Sequence, residues 1–288
     1  MAPTIDRIVD AHVHLWDPAR TDWYPYLSGN QQLNMGDISG MCRYFDQKTY
    51  FAESANWNVV KIVHVAAAAS AHTIDETMEL DEQYRSLGQP AAIVGGVNPM
   101  LSDADVEKLL DSQMASPRFC GVRQMGGSDG AVPRVAVLKA LQDRKLVLDL
   151  MAHTADLHDA AAKLAAWPEL SVVVEHSGWP HTNTPEEFAD WKAGMSTLAA
   201  VGDNVVCKIS GLAMPLGSTT VDAFRPWVEH CLETFGAGRC MFASNFPVDG
   251  MHGTFDELFS TYATIASGLS ADDREKAFAT TAERVYHC

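Results

Sequence analysis

Two histidines two residues apart, His12 and His14, close an apolar run that reads Arg7-Ile8-Val9-Asp10-Ala11-His12-Val13-His14. Its composition is that of a β-strand. Side chains alternate across a strand, so positions i and i+2 share a face and both imidazoles enter one pocket. Imidazoles held together can ligate a divalent metal, or polarise a carbonyl and move protons. The pair alone also fits two polar residues satisfied by backbone near a turn, so the evidence must come from the rest of the chain.

Short β-rich runs recur near residues 7–14, 59–68, 91–98, 120–125, 146–153, 171–177, 205–211 and 239–245, each followed by a stretch of helical periodicity. That alternation predicts βα units on a parallel sheet, and eight of them predict a closed α/β barrel of the (β/α)8 TIM type, one domain over residues 1–288. Asp103 to Met114 sets Val106, Leu109 and Leu110 on one helical face, and Pro133 to Arg144 does the same with Val137, Leu138 and Leu141. Thr184-Pro185-Glu186-Glu187 reads as an N-cap, a proline in the first turn and two acids beside it. From Leu15 to about Arg43 the rhythm breaks, and Trp16, Trp23, Tyr24 and Tyr26 stand among prolines and glycines, a loop expected over the barrel mouth.

In such a barrel the reacting groups sit at the C-terminal ends of strands. There the sequence places His12 and His14 (first strand), Arg123 and Gln124 (fourth), His153 (fifth), His176 (sixth), Lys208 and Ser210 (seventh) and Asn245 (eighth), with Asp249 four residues on. Imidazoles and cations in otherwise apolar strands are costly without a partner or a task, so their convergence predicts an enzyme. Arg123 and Lys208 are expected to hold a carboxylate or an oxygen-rich substituent, although Arg123 could instead pair with Asp149 or Glu175. His153, His181 and Trp16 are expected to touch substrate. His64, His158, His230, His252 and His287 take structural readings, with His181 and His252 placed in loops where specificity is set. Either Trp179-Pro180 or Phe246-Pro247 could be cis.

Net charge is −16 with no basic patch, which disfavours nucleic acid and anionic membranes and leaves a small molecule as the partner. A homo-oligomer stays open. No run is long enough to span a bilayer, and Met1 to Asp6 has neither a basic start nor an apolar core, so a cytoplasmic location is expected. The six cysteines show no C-x-x-C spacing and read as reduced, buried hydrophobes.

The segments Asp10-Ala11-His12-Val13-His14-Leu15-Trp16-Asp17, Gly121-Val122-Arg123, His176-Ser177-Gly178-Trp179-Pro180, Lys208-Ile209-Ser210-Gly211-Leu212 and Phe242-Ala243-Ser244-Asn245-Phe246-Pro247-Val248-Asp249 resemble the amidohydrolase superfamily. The nearest branch is the amidohydrolase 2 group, with its sugar lactonases and 2-pyrone-4,6-dicarboxylate lactonase. The likeness runs to Ala282-Glu283-Arg284-Val285-Tyr286. It implies a distorted barrel and hydrolysis of an ester, lactone or amide by water. In metal-dependent members, first-strand histidines, a histidine from strand five or six and a strand-eight aspartate surround the ion. The matching histidines are His12, His14, His153 and His176.

Two departures stand out. Arg123-Gln124 replaces the group that bridges two ions, which argues against a binuclear site. Asn245 takes the place of the aspartate that activates water; a carboxamide accepts no proton at neutral pH and ligates metals weakly. The expectation is therefore a lactonase in which His12, His14 and His176 polarise the carbonyl, directly or through one zinc or manganese ion, with a metal-free route open and Asn245 and Asp249 at the reacting centre. A decarboxylase or hydratase on the same barrel, or a lapsed ligand-binding member, are the alternatives. A vestigial metal site would gain metal affinity in Asn245→Asp.

Overall fold

A computed structural model of the chain describes residues 5–28, 37–125 and 130–288. Eight strands, β1 (Ile8–Val13), β2 (Val59–Val65), β3 (Ala92–Val97), β4 (Phe119–Gln124), β5 (Val147–Leu150), β6 (Val172–Val174), β7 (Val205–Ile209) and β8 (Cys240–Phe242), pair in sequence order, every pair parallel. The ring closes just beyond β8, where Asn245 N donates to His12 O and His14 N to Phe246 O, both at 2.9 Å. The chain is a single (β/α)8 barrel.

A helix follows each strand: Gln47–Glu53, Thr73–Leu87, Asp103–Gln113, Val135–Arg144, Leu157–Leu164, Pro185–Ala199, Val221–Phe235 and Phe255–Ile265. Local chemistry sets their starts. Thr184 Oγ1 caps the amide of Glu187 with Pro185 in the first turn, and Thr254 and Glu257 form a reciprocal capping box. Core splits into two shells. Helices pack on the outer strand faces, while Val9, Val63, Val94, Val147, Val173 and Val206 fill the barrel itself, sealed below by Ala282, Val285 and Tyr286 of the last helix.

Expected strands overrun at their C-terminal ends. The sixth stops at Val174 rather than 177 and the eighth at Phe242 rather than 245, because His176 (φ 51°), Ser177 (φ 54°) and Asn245 (φ 54°) turn into the left-handed region. The second ends at Val65, before the alanines. Of the loop from Leu15 to Arg43, residues 29–36 lie outside the described residues, as do Met1 to Thr4 of the N-terminal segment; Pro25–Ser28 and Ser39–Met41 form short 3-10 turns. Phe246-Pro247 is cis, Trp179-Pro180 is not, and Gln89-Pro90 is a second cis bond. All six cysteines are free. Among the described residues no helix is long and apolar enough to cross a membrane.

Candidate active site

Strand alternation alone would put Asp10, His12 and His14 on one face, but a bulge intervenes. Asp10 lies opposite Ile62 and Val13 opposite His64, three steps along β1 against two along β2. Val9 and Ala11 therefore face the barrel interior, while Asp10 turns outward to accept from Tyr50 Oη (2.7 Å) and Ser244 N (2.8 Å). Beyond the bulge His12 and His14 come together, with Nε2 atoms 3.2 Å apart.

His176 joins them. Its ring centroid is 4.5 Å from that of His12, and its Nδ1 is 3.0 Å from Ser210 Oγ. Gly211 (φ +68°) makes room: a Cβ there would stand 2.6 Å from His176 Cγ and Nδ1. Burial holds all three imidazoles well below the ordinary histidine range; Lys208 adds most to this at His12, and Arg123 at His14 and His176. They are neutral imidazoles at neutral pH. Hydrogen-bond chemistry then assigns tautomers. Val65 O, 2.8 Å from His14 Nδ1, only accepts, so that nitrogen carries the proton and His14 Nε2 accepts. His12 Nε2 must donate to it, leaving the His12 Nδ1 lone pair toward Glu175 Oε1 at 3.7 Å.

The sequence offers Glu175 only as a partner for Arg123. It is fully buried at the end of β6, between His12 and an Arg123 Nη1 3.6 Å away. Burial pushes its carboxyl up to about 7, against the pull of Arg123. Among the described residues, both Glu175 oxygens, His12 Nδ1, Arg123 Nε, Asn245 Oδ1 and Asp249 Oδ2 lack a hydrogen bond of normal geometry. Such atoms cost about 1–3 kcal/mol each when left unpaired, so a cluster of them at one strand-end rim marks a place built for polar guests. The sequence signal was available: an acid beside a strand-end histidine in an apolar strand.

The remaining expected residues divide. Arg123 reaches the rim with about a tenth of its side chain exposed. Lys208 does not: expected to grip substrate, it is fully buried, its Nζ 2.5 Å from Asp149 Oδ2, which also takes the Tyr286 hydroxyl. That is a correction, and its cause is that a lysine in mid-strand points into the sealed interior, where only a carboxylate can hold its charge. Trp16 lies parallel to His14 at 5.5 Å, its Nε1 donating to Arg43 O. His153 and His181 stack at 4.1 Å, and through Trp179 (4.9 Å from His153, 5.1 Å from His176) form a ring ladder leading outward. Gln124 instead ties its own loop through Gly130 O and Ala131 O. His64 stays in the wall, accepting from Leu15 N and lying 3.5 Å from Glu76. Asn245 Nδ2 donates to Asp249 Oδ1 at 2.9 Å, and Asp249 is fully buried, its carboxyl raised by burial to about 7.

A divalent ion meets an incomplete donor set. The His12 and His14 nitrogens stand about one tetrahedral edge apart, roughly 3.3 Å for zinc. Among the described residues, however, no group of three or more His, Cys, Asp or Glu side chains closes into a metal-holding cluster, although His176 lies alongside. The two nitrogens already satisfy one another, and the carboxylate position carries an amide. These residues do not fit a resident ion.

The amidohydrolase family matches this chain over residues 9–288, and the chain belongs to that family. It is 32% identical to the uncharacterized protein y4mH of Sinorhizobium fredii over 97% of this chain and 98% of that one. It is 31% identical to an L-fucono-1,5-lactonase of Burkholderia multivorans, covering 96% of this chain and 95% of the relative. A crystal structure of a Burkholderia multivorans amidohydrolase with bound zinc superposes with a TM-score of 0.82 at 24% identity, over 97% and 99% of the two chains, which is a likeness of fold.

Proposed function

We propose that this amidohydrolase opens the ring of a small lactone by adding water to its carbonyl. The observation that supports the reading most is the cluster of neutral His12, His14 and His176 beside a buried Glu175 carboxyl that lies 3.7 Å from His12 and 3.6 Å from Arg123. Similarity to an L-fucono-1,5-lactonase adds the reaction class.

Water attacks the carbonyl carbon and its proton passes to the Glu175 and His12 pair. A carboxyl near 7 can both take and return a proton at working pH. The carbonyl oxygen gains charge, which the Arg123 guanidinium and His176 meet; in the tautomer where Ser210 Oγ–H donates to His176 Nδ1, 3.0 Å away, Nε2 carries the donated proton. The tetrahedral intermediate then collapses, the bond to the ring oxygen breaks, and the stored proton goes to the departing alkoxide. Products are one hydroxyl and one carboxylic acid. Every step uses this chain's own groups. His14 fixes His12 through the Nε2 contact, and Trp16 backs His14.

The test is a panel of sugar lactones, pyrone carboxylates and muconolactones followed by a pH indicator in weak buffer. Lactone opening acidifies the solution near neutrality, whereas decarboxylation of a carboxylate consumes a proton and releases carbon dioxide. Acidification by the wild type that His176→Asn loses supports the reading. Alkalinisation with gas release moves the chain to the decarboxylase reading, and no turnover across the panel overturns both.

A further inference from the structure

Beyond β8 the chain makes a tight return. Asn245 sits in the left-handed region, Asp249 N donates to Asn245 O at 3.1 Å, and the two side chains meet at 2.9 Å. Asn245 Nδ2 donates to Asp249 Oδ1, and an ionised Asp249, which only accepts, holds the amide in that orientation. Its other end is thereby decided. Asn245 Oδ1 is the buried atom left without a partner, on a residue whose own N–H is held by His12 O. An unrestrained carboxamide can rotate by half a turn and exchange a donor for an acceptor at nearly the same position. Here the carboxylate removes that freedom.

We propose that Asp249, in its ionised form, is a positioning residue that locks the Asn245 carboxamide, so that Oδ1 faces the site as a hydrogen-bond acceptor for the attacking water. The inference deepens the lactonase reading and rests on it for its kinetic part only. An acceptor at this place orients the water's second O–H and turns a lone pair toward the carbonyl carbon, while the proton lost in the attack goes to Glu175 and His12. Asn245 touches the water; Asp249 acts through Asn245. The pair divides between two residues what a single aspartate would do alone: the amide supplies the acceptor and the acid supplies its orientation. The backbone N–H groups of Gly211 and Ala213 also point at the Asp249 carboxyl and favour its ionised form, and Asp249 has no exposed surface, so solvent does not relieve the lock.

The experiment is a five-member set, Asp249→Asn, Asn245→Asp, both together, Asn245→Ala, and Asn245→Ala with Asp249→Asn, read by kcat, KM and thermal melting. Asp249→Asn frees the amide and should lower kcat about 10–100-fold with KM nearly unchanged. Asn245→Asp sets two acids against each other and should lose as much. The double exchange restores one acid and one amide in hydrogen bond with a carboxylate oxygen facing the site, and should recover at least tenfold over either single change. In the Asn245→Ala background, Asp249→Asn should cost nothing further, since nothing remains to be positioned. Simple addition of the two losses in the double exchange, or a further loss in the alanine background, overturns the proposal. A direct readout independent of turnover is the Asn245 side-chain amide resonance in an isotope-labelled protein. It should be shifted downfield and slow to exchange in the wild type and lose both properties in Asp249→Asn, or in a milder Asp249→Ser should the first fail to fold. If no lactone is opened but the resonance behaves so, the lock stands and the lactonase reading falls; an unshifted, rapidly exchanging resonance in the wild type overturns the lock itself.

Discussion

Gly211→Ala tests the contribution of His176 placement without replacing any polar side chain. The added Cβ would stand 2.6 Å from His176 Cγ and Nδ1, where ordinary contact is 3.4–4 Å, so the ring must retreat by about 0.8–1.4 Å. A displacement near 1 Å at a reacting group costs roughly 100-fold in rate, or about 2.7 kcal/mol of barrier. Alanine at φ +68° also costs about 1–2 kcal/mol of stability, a fall in Tm of roughly 2–8 °C. These two effects separate by means of Gly217→Ala. Gly217 has φ +57° and nothing within 4 Å of the added Cβ, so it should show the backbone cost and keep its rate. Steady-state kinetics on the best lactone of the panel, with melting curves, provides the comparison. If Gly211→Ala retains the kcat and KM of Gly217→Ala, the ring either has no task or is not held where its distances say.

Activity should rise with pH through about 7, because Glu175 accepts a proton only when ionised, and Glu175→Gln should be slow and lose that limb in a kcat/KM profile. Lys208→Met should lower stability by about 3–5 kcal/mol in denaturant melts by leaving Asp149 buried and unpaired, with most of it regained in Lys208→Met/Asp149→Leu; a raised KM at unchanged stability would instead place Lys208 on the substrate. Burial raises Glu175 and Asp249 to about 7, above the ordinary values of 4.5 and 3.8, so the folded chain keeps protons that the unfolded chain releases. Their stabilising effect is complete below the unfolded values and is lost as pH climbs to about 7, a decline on the order of a few kcal/mol that titration melts from pH 4 to 8 would reveal. Exhaustive chelation should leave lactone turnover unchanged, and a loss restored by zinc would show that His12 and His14 recruit an ion.

Legibility followed the periodicity of burial. Eight strands and their order could be read because Ile8-Val9, Val172-Val173-Val174 and Val205-Val206 are runs that only a sheet covered on both faces accommodates. Strand ends were read too long where the chain carries its polar cargo: His176 and Asn245 leave β geometry through left-handed turns, which no apolar pattern announces. His12 and His14 were paired correctly by alternation, but the bulge that sends Asp10 outward is a single-residue slip, invisible without the partner strand's register. Lys208 was misplaced for a related reason. Position along a strand tells which face a residue takes, not whether it lies at the open rim or one layer down, and depth depends on the shear of the whole barrel.

Depth also explains how the buried charges serve the rim. Seen from the sealed end, Tyr286 meets Asp149, Asp149 holds Lys208, and above them Glu175 lies between Arg123 and His12. Two cations face two acids, so the layer can approach neutrality and need not draw counter-ions from solvent. Its field is nevertheless uneven. Lys208 and Arg123 lie close enough to the imidazoles to oppose their protonation, while Glu175 is raised into the range where it exchanges protons. Replacing the Lys208 and Asp149 pair by apolar residues of similar size would thus do more than alter stability: without the lysine, His12 becomes easier to protonate, and the pH profile of the whole site should shift. That shift separates a layer that tunes the histidines from one that merely fills the barrel, for in a filler the profile would stay where it is in the wild type.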